Sequence, residues 1–128
     1  MIYFKKYSVE IFSNGKSTLN GILNCIKDTD KILCEESYSE AFRNYTYQYV
    51  LIFNENQLTV KQSSGALLHQ FEFKTSDYPI KSTHSHLCVK DMYSAEIVFH
   101  SKSFFELTYH VYGPEKDYEM IKKYTAIG

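Results

Sequence analysis

Apolar and polar residues alternate along most of this chain with a period of two, and short turn signals break the alternation. A first strand is predicted from about Ile2 to Phe12. Ser13-Asn14-Gly15-Lys16 follows, and Asn-Gly is the strongest short hairpin signal because both residues tolerate positive φ. The next strand, about Ser17 to Lys27, puts Leu19, Gly21, Leu23 and Cys25 on one face. Asp28-Thr29-Asp30 turns the chain into a short strand from Lys31 towards Tyr38. The clearest strand runs from Phe42 to Phe53. Its odd positions are Arg43, Tyr45, Tyr47, Tyr49, Leu51 and Phe53, and this face is expected to look inward. Leu58 and Val60 share the next face, and Leu67, His69, Phe71 and Phe73 the one after Ser63-Ser64-Gly65. A looser stretch from Lys74 to Lys81 contains Pro79. Strands from Ser82 to Val89, Asp91 to Phe99, Phe104 to Tyr112 and Tyr118 to Thr125 complete the chain.

These are about nine strands at the spacing of sandwiches and barrels. Nearly every connection is hairpin-short, so sequential neighbours should pair antiparallel. The expected fold is therefore all-β: one domain over residues 1–128, an up-and-down meander closing into a barrel of about 8–10 strands. A sandwich is the alternative architecture, and residues Ser37 to Arg43 are open to a single helical turn.

Composition narrows the class. The chain has 128 residues, enough for one core without staples. Its 14 Lys and Arg against 15 Asp and Glu leave no field to attract nucleic acid or an anionic membrane. Lys122-Lys123-Tyr124 mixes base and aromatic, but no basic face supports nucleic-acid stacking. The N-terminal Met-Ile-Tyr-Phe-Lys-Lys-Tyr predicts no signal peptide, and no segment has the length of a membrane span. Cys25, Cys34 and Cys88 are an odd set, expected to be reduced thiols in a cytoplasmic protein. Aromatics are abundant, with 12 Tyr and 9 Phe, which suits strands.

Two stretches near the C-terminus carry specific patterns. His86-Leu-Cys88-Val-Lys-Asp91-Met-Tyr93 has the form HxCxxDxY. Tyr109-His-Val111-Tyr-Gly113-Pro114-Glu-Lys116-Asp117-Tyr118 has the form WxVxGPxKDY, with Tyr in place of Trp. Upstream, Arg43-Asn-Tyr45-Thr-Tyr47 is similar to an RxYxW stretch and Gly21-Ile-Leu23-Asn-Cys25 to a GxAxF stretch. Together they resemble domain of unknown function 6314, a family of short proteins. The match covers most of the chain and fades before about Thr18. The family's opening Trp and Arg have no clear counterpart in Tyr3 to Phe12, and two Trp positions are Tyr47 and Tyr109 here. The resemblance implies a lipocalin-like (calycin-type) barrel and no defined activity.

The candidate chemistry falls into two groups. His86, Cys88, Asp91 and Tyr93 flank one tight turn, so hairpin geometry brings them to one face. They are candidates for acid/base or thiolate chemistry; the plainer reading is a hydrogen-bonded hairpin capped by Asp91. No four-ligand set is visible, so no metal site is assigned, and any cofactor stays unspecified. The second group, Arg43, Tyr45, Tyr47, His69, Tyr109 and Lys116, is assigned to ligand binding. An inward Arg43 needs an anionic ligand group or a carboxylate partner; the plainer reading puts Arg43 at the barrel mouth, snorkelling to solvent and pairing with Glu35, Glu36 or Asp91. His69 reads as a satisfied core histidine ahead of a ligand contact, and the tyrosines equally as barrel filling. Gly113 to Tyr118 lacks the spacing of a phosphate loop and shapes a hairpin, with Lys116 and Asp117 pairing locally.

The function these features favour is binding of a small hydrophobic or anionic molecule inside the barrel. An enzyme of the same shape, with His86 as acid/base oriented by Asp91 and Cys88 or Tyr93 assisting, is the second reading. A ligand-free interaction module is the third. No nucleic-acid partner or membrane insertion is expected, and self-association into a homodimer is left open.

Overall fold

A computed structural model describes residues 2–88 and 90–128, the side chains of residues 86–88 excepted. Ten strands follow one another: β1 (Lys6–Ser13), β2 (Lys16–Asp28), β3 (Lys31–Glu40), β4 (Arg43–Asn54), β5 (Gln57–Gln62), β6 (Leu67–Glu72), β7 (Ile80–Cys88), β8 (Asp91–Ser101), β9 (Phe104–Tyr112) and β10 (Asp117–Ala126). They form a single antiparallel sheet in the order β6-β5-β4-β3-β2-β1-β10-β9-β8-β7. The N-terminal strand pairs with the C-terminal one, Tyr7 opposite Ala126 and Ser13 opposite Met120. The meander thus curls into a nearly closed barrel, and the all-β expectation stands. Its seam lies between β6 and β7, which no backbone ladder joins among the described residues.

The local chemistry explains the path. Asn14 and Gly15 both adopt positive φ, 49° and 82°, as a two-residue hairpin turn between β1 and β2 requires. Gly65, at φ 96°, serves the turn between β5 and β6. Register shifts at Ile11/Phe12, Val60/Lys61 and Phe99/Ser101 add the local twist that lets a long sheet curl. Residues Ser37 to Arg43 are not helical: β3 continues to Glu40, and Ala41-Phe42 form the turn into β4. The strand count is ten rather than about nine. No helix among the described residues is long and apolar enough to cross a membrane.

Period-two alternation places Tyr7, Val9, Leu23, Leu58, Phe71, Phe99 and Tyr124 in the core. Burying a side chain the size of Phe71 contributes about 1.5–3 kcal/mol, so this cluster carries much of the stability. The two ends of the barrel differ. Towards the turns β2–β3, β4–β5 and β8–β9 the interior is packed shut: Leu58, Phe71 and Phe99 are at most 1% exposed, and Ile2 and Phe4 pack against them. Towards the turns β1–β2, β3–β4 and β9–β10 the inward side chains are larger, more polar and wetter. Tyr47, for example, is 41% exposed.

Candidate functional site

The most unusual group in the interior is Glu36 of β3, only 1% exposed. Strand alternation puts it on the same face as Cys34 and Tyr38, inside the barrel. β10 faces it from across the interior with Lys122 and Tyr124. Lys122 Nζ donates to Glu36 Oε1 at 3.1 Å. The Tyr38 hydroxyl donates to the same oxygen. Tyr49 and Tyr124 donate to Oε2 at 2.5 and 2.8 Å. Burial alone would raise the Glu36 carboxyl, but the Lys122 charge and the three phenolic donors outweigh it and hold it below the usual carboxylate range. The same environment pushes the Tyr38, Tyr49 and Tyr124 phenols up, burial first and the Glu36 charge after it.

A carboxylate offers about four acceptor sites, and here they are taken by four donors. Glu36 is therefore a poor base and nucleophile. Its chemical effect is to fix three tyrosines and a lysine on the barrel floor. Lys122 also lies 5.4 Å from the Tyr47 ring centroid, where cation and π-face attract.

The interior is not completely filled. A small void of about 40 Å³ runs from the core side chains Leu58, Phe71 and Phe99 to Glu36, His69 and Tyr109. Nearer the open end a chamber of about 140 Å³ is lined by His69, His84, Tyr93, Ala95, Tyr109 and Val111. The two share His69 and Tyr109 in their walls. His69 stands against Tyr109, ring centroids 5.4 Å apart, and against His84 across the seam. Burial, then the neighbouring Tyr47 and Glu36, pushes the Tyr109 phenol up.

The motif turns meet at the rim of the same end. Lys116 Nζ pairs with Asp91 Oδ2 at 3.1 Å, and its ammonium is held above the ordinary lysine value by that bond. Gly113 makes the contact feasible: a Cβ on it would lie 1.9 Å from Asp91 Oδ1. The turn is closed by the Gly113 N–H donating to the Lys116 carbonyl at 2.8 Å. Asp117, expected to pair with Lys116, instead takes His110 Nε2 at 2.9 Å. Two strands separate the turns, so an up-and-back path returns them to one end.

The sequence profile of a family of unknown function, DUF6314, matches residues 9–126. The chain belongs to this family. The DUF6314 match begins at Val9 on β1, ahead of the point near Thr18 where the resemblance faded, so it takes in all ten strands. No protein with a curated description is significantly similar to the chain. The GxAxF-like stretch of this DUF6314 chain has a structural reason for its glycine. A Cβ on Gly21 would lie 2.4 Å from both the Ser37 carbonyl oxygen and the Tyr38 ring, so the glycine lets Tyr38 lie flat and reach Glu36.

The expected site residues divide. Tyr47, His69 and Tyr109 line the void or the chamber, and Tyr93 joins them. Tyr45 is half-buried beside the core, its hydroxyl 3.4 Å from Glu40. Arg43 stands at the open end facing solvent, as its plainer reading had it, and not in the interior. It is exposed at the first position of β4, its guanidinium 4.8 Å above the Tyr45 ring. The carboxylates expected to neutralise it are paired elsewhere: Glu35 with Gln48, Glu36 with Lys122, Asp91 with Lys116. Lys116 sits on the rim, not in the interior. The side chains of His86 and Cys88 lie outside the described residues; their backbones pair with Tyr93 and Asp91 on β8.

Sequence reasoning named Glu36 only as a partner for Arg43 and passed over Lys122, Tyr124 and His84 as site residues. The Cys34, Glu36, Tyr38 alternation carried a signal, but the adjacent Glu35 made the pair read as surface.

Proposed function

We propose that this domain binds a small, uncharged, single-ring molecule in the open-end half of the barrel. The observation that carries the reading is the unfilled chamber of about 140 Å³ above the Glu36 network. A dry cavity of about 150 Å³ accepts benzene, so the volume fits one ring and not a lipid chain. The ring would lie among His69, His84 and Tyr109, with a hydroxyl or carbonyl turned towards Tyr109 and Tyr47.

The charge balance argues for a neutral ligand over the anionic one. Lys122 is compensated by Glu36, Lys116 by Asp91, and Arg43 stands outside the chamber. Nothing in the Glu36 network favours the enzyme reading, since the carboxylate is saturated with donors. Asp91, the orienter that reading assigns to His86, is engaged by Lys116. A cytoplasmic location accompanies the proposal, supported by Cys25 and Cys34 standing as free thiols directly opposite each other.

Thermal-shift titration with phenol, benzyl alcohol, benzoate and a fatty acid tests the reading. Phenol or benzyl alcohol should raise the melting temperature of the wild-type protein and not of Ala95→Leu, whose side chain fills the chamber. Stabilisation by the fatty acid alone, or equal shifts in Ala95→Leu, would overturn it.

A further inference from the structure

Phe42, in the turn between β3 and β4, is 99% exposed, the most exposed of the large apolar side chains among the described residues. A whole phenyl ring stands in solvent, and covering it is favourable. The turn belongs to the open end of the barrel, where the chamber of about 140 Å³ also lies. That chamber has the volume of one ring, and Phe42 carries one ring. Phe42 does not fill the chamber of its own barrel, as its exposure shows. Its turn is separated from β7, β8 and β9 in the chamber wall by β5 and β6 on one side and by β2, β1 and β10 on the other.

Depth, symmetry and charge favour a second copy as the occupant. β8 begins at Asp91 and β9 ends at Tyr112, and the wall residues Tyr93 and Val111 lie two residues and one residue further in. At about 3.4 Å per residue that is roughly 3–7 Å below the rim, within reach of a phenylalanine side chain standing on the rim of a facing molecule. A two-fold axis in the plane of the mouth sets two barrels end to end. One direction of that axis brings the Phe42 of each copy over the chamber of the other, so both contacts form at once and the assembly closes. Arg43, next to Phe42, makes no ion pair among the described residues. The turn between β9 and β10, beside the chamber, exposes Glu115 and Asp117, while its Lys116 is already neutralised by Asp91. The end-to-end placement carries Arg43 of each copy towards that acidic turn of the other.

We propose that two copies of this chain associate open mouth to open mouth, with the Phe42 ring of each seated in the chamber of the other. The inference rests on the chamber's taking up one ring, and it makes a second copy a competitor for the same space. At about 150–250 Å² each, two rings bury about 300–500 Å², well short of the roughly 1,200 Å² at which stable interfaces begin, so the dimer is weak and exchanging. A free ring compound then displaces Phe42 by mass action.

Sedimentation velocity of the full-length protein over a range of concentrations tests this. The wild type should show a monomer–dimer equilibrium that stops at the dimer. Phe42→Ser should raise the dimer dissociation constant by at least about tenfold, and Ala95→Leu, by filling the chamber, should do the same. Ile26→Ser, which removes another exposed apolar side chain from the outside of β2, should leave it unchanged. Saturating phenol should convert the wild-type dimer to monomer, and Phe42→Ser should still bind phenol. A wild type that stays monomeric yet binds phenol would overturn the dimer and leave the ring site standing. Dimer loss in both variants without phenol binding would keep the Phe42 contact and remove the small-molecule reading. A dimer unaltered by Phe42→Ser, one that persists with phenol bound, or growth into open chains would each overturn the proposal. Phe42 is exposed, so its substitution leaves the fold intact and the test stands even where Ala95→Leu fails to fold.

Discussion

Lys122→Met removes the cation from the barrel floor and leaves Glu36 buried with its three phenolic donors. At an N···O distance of 3.1 Å and an effective dielectric of about 20, the lost attraction is about 5 kcal/mol before solvation terms. Desolvation of the ammonium is relieved at the same time. Breaking a buried pair by removing one partner costs about 3–5 kcal/mol in general, and the retained tyrosine bonds put this case near the lower figure. The pH dependence gives the sharper check. In the wild-type protein the Glu36 carboxyl is held below its unfolded value, so its contribution is complete above that value and is lost as pH falls through the folded one. Without Lys122 the largest of the lowering influences is gone, so the folded carboxyl titrates higher than in the wild type. The variant then regains relative stability when Glu36 is protonated. Urea denaturation at about pH 7 and about pH 4 should therefore show the gap between the two proteins narrowing in acid. A gap under about 1 kcal/mol at neutral pH, or one equal at both pH values, would refute the reasoning.

Three other outcomes follow from single contacts. Gly21→Ala should destabilise by about 1–3 kcal/mol in urea denaturation, because the new methyl meets the Ser37 carbonyl oxygen as well as the Tyr38 ring; a neutral substitution would mean that β3 shifts freely. Gly113→Ala and Asp91→Ala should be non-additive in a double-mutant cycle, since the glycine substitution acts by displacing the Asp91 carboxylate; additive losses would disconnect the two turns. The Cys25 N–H donates to the Lys5 carbonyl just ahead of β1, so Cys25 and Cys34 form a close, non-hydrogen-bonded cross-strand pair. Freshly purified protein should titrate three thiols after unfolding, and mild oxidation with diamide should remove two of them; loss of one thiol, or three surviving, would contradict the pairing.

The barrel was legible because its signals are local. Alternation in Tyr45-Thr-Tyr47-Gln-Tyr49 and the Asn14-Gly15 turn need no knowledge of distant partners. Counting the two strands between the Asp91 and Lys116 turns places both at one end of the barrel. What the sequence hid is cross-barrel pairing. Glu36 and Lys122 are 86 residues apart, and no periodicity links them. The seam was equally hidden, because the looser stretch between β6 and β7 gave no hairpin signal, and His69 could not be matched to His84. Arg43 misled for the opposite reason: it obeys the alternation, but at the end of a strand the inward side opens on solvent.

A small neutral ring is the ligand proposed for the open-end chamber. Titration of phenol into protein carrying isotope labels in His and Tyr side chains, followed by NMR, tests it most directly. Saturable shifts concentrated on His69, His84 and Tyr109, with Tyr112 on the exterior unmoved, are predicted. Shifts confined to the exterior tyrosines, or no saturable shift at His69 and Tyr109, would contradict it.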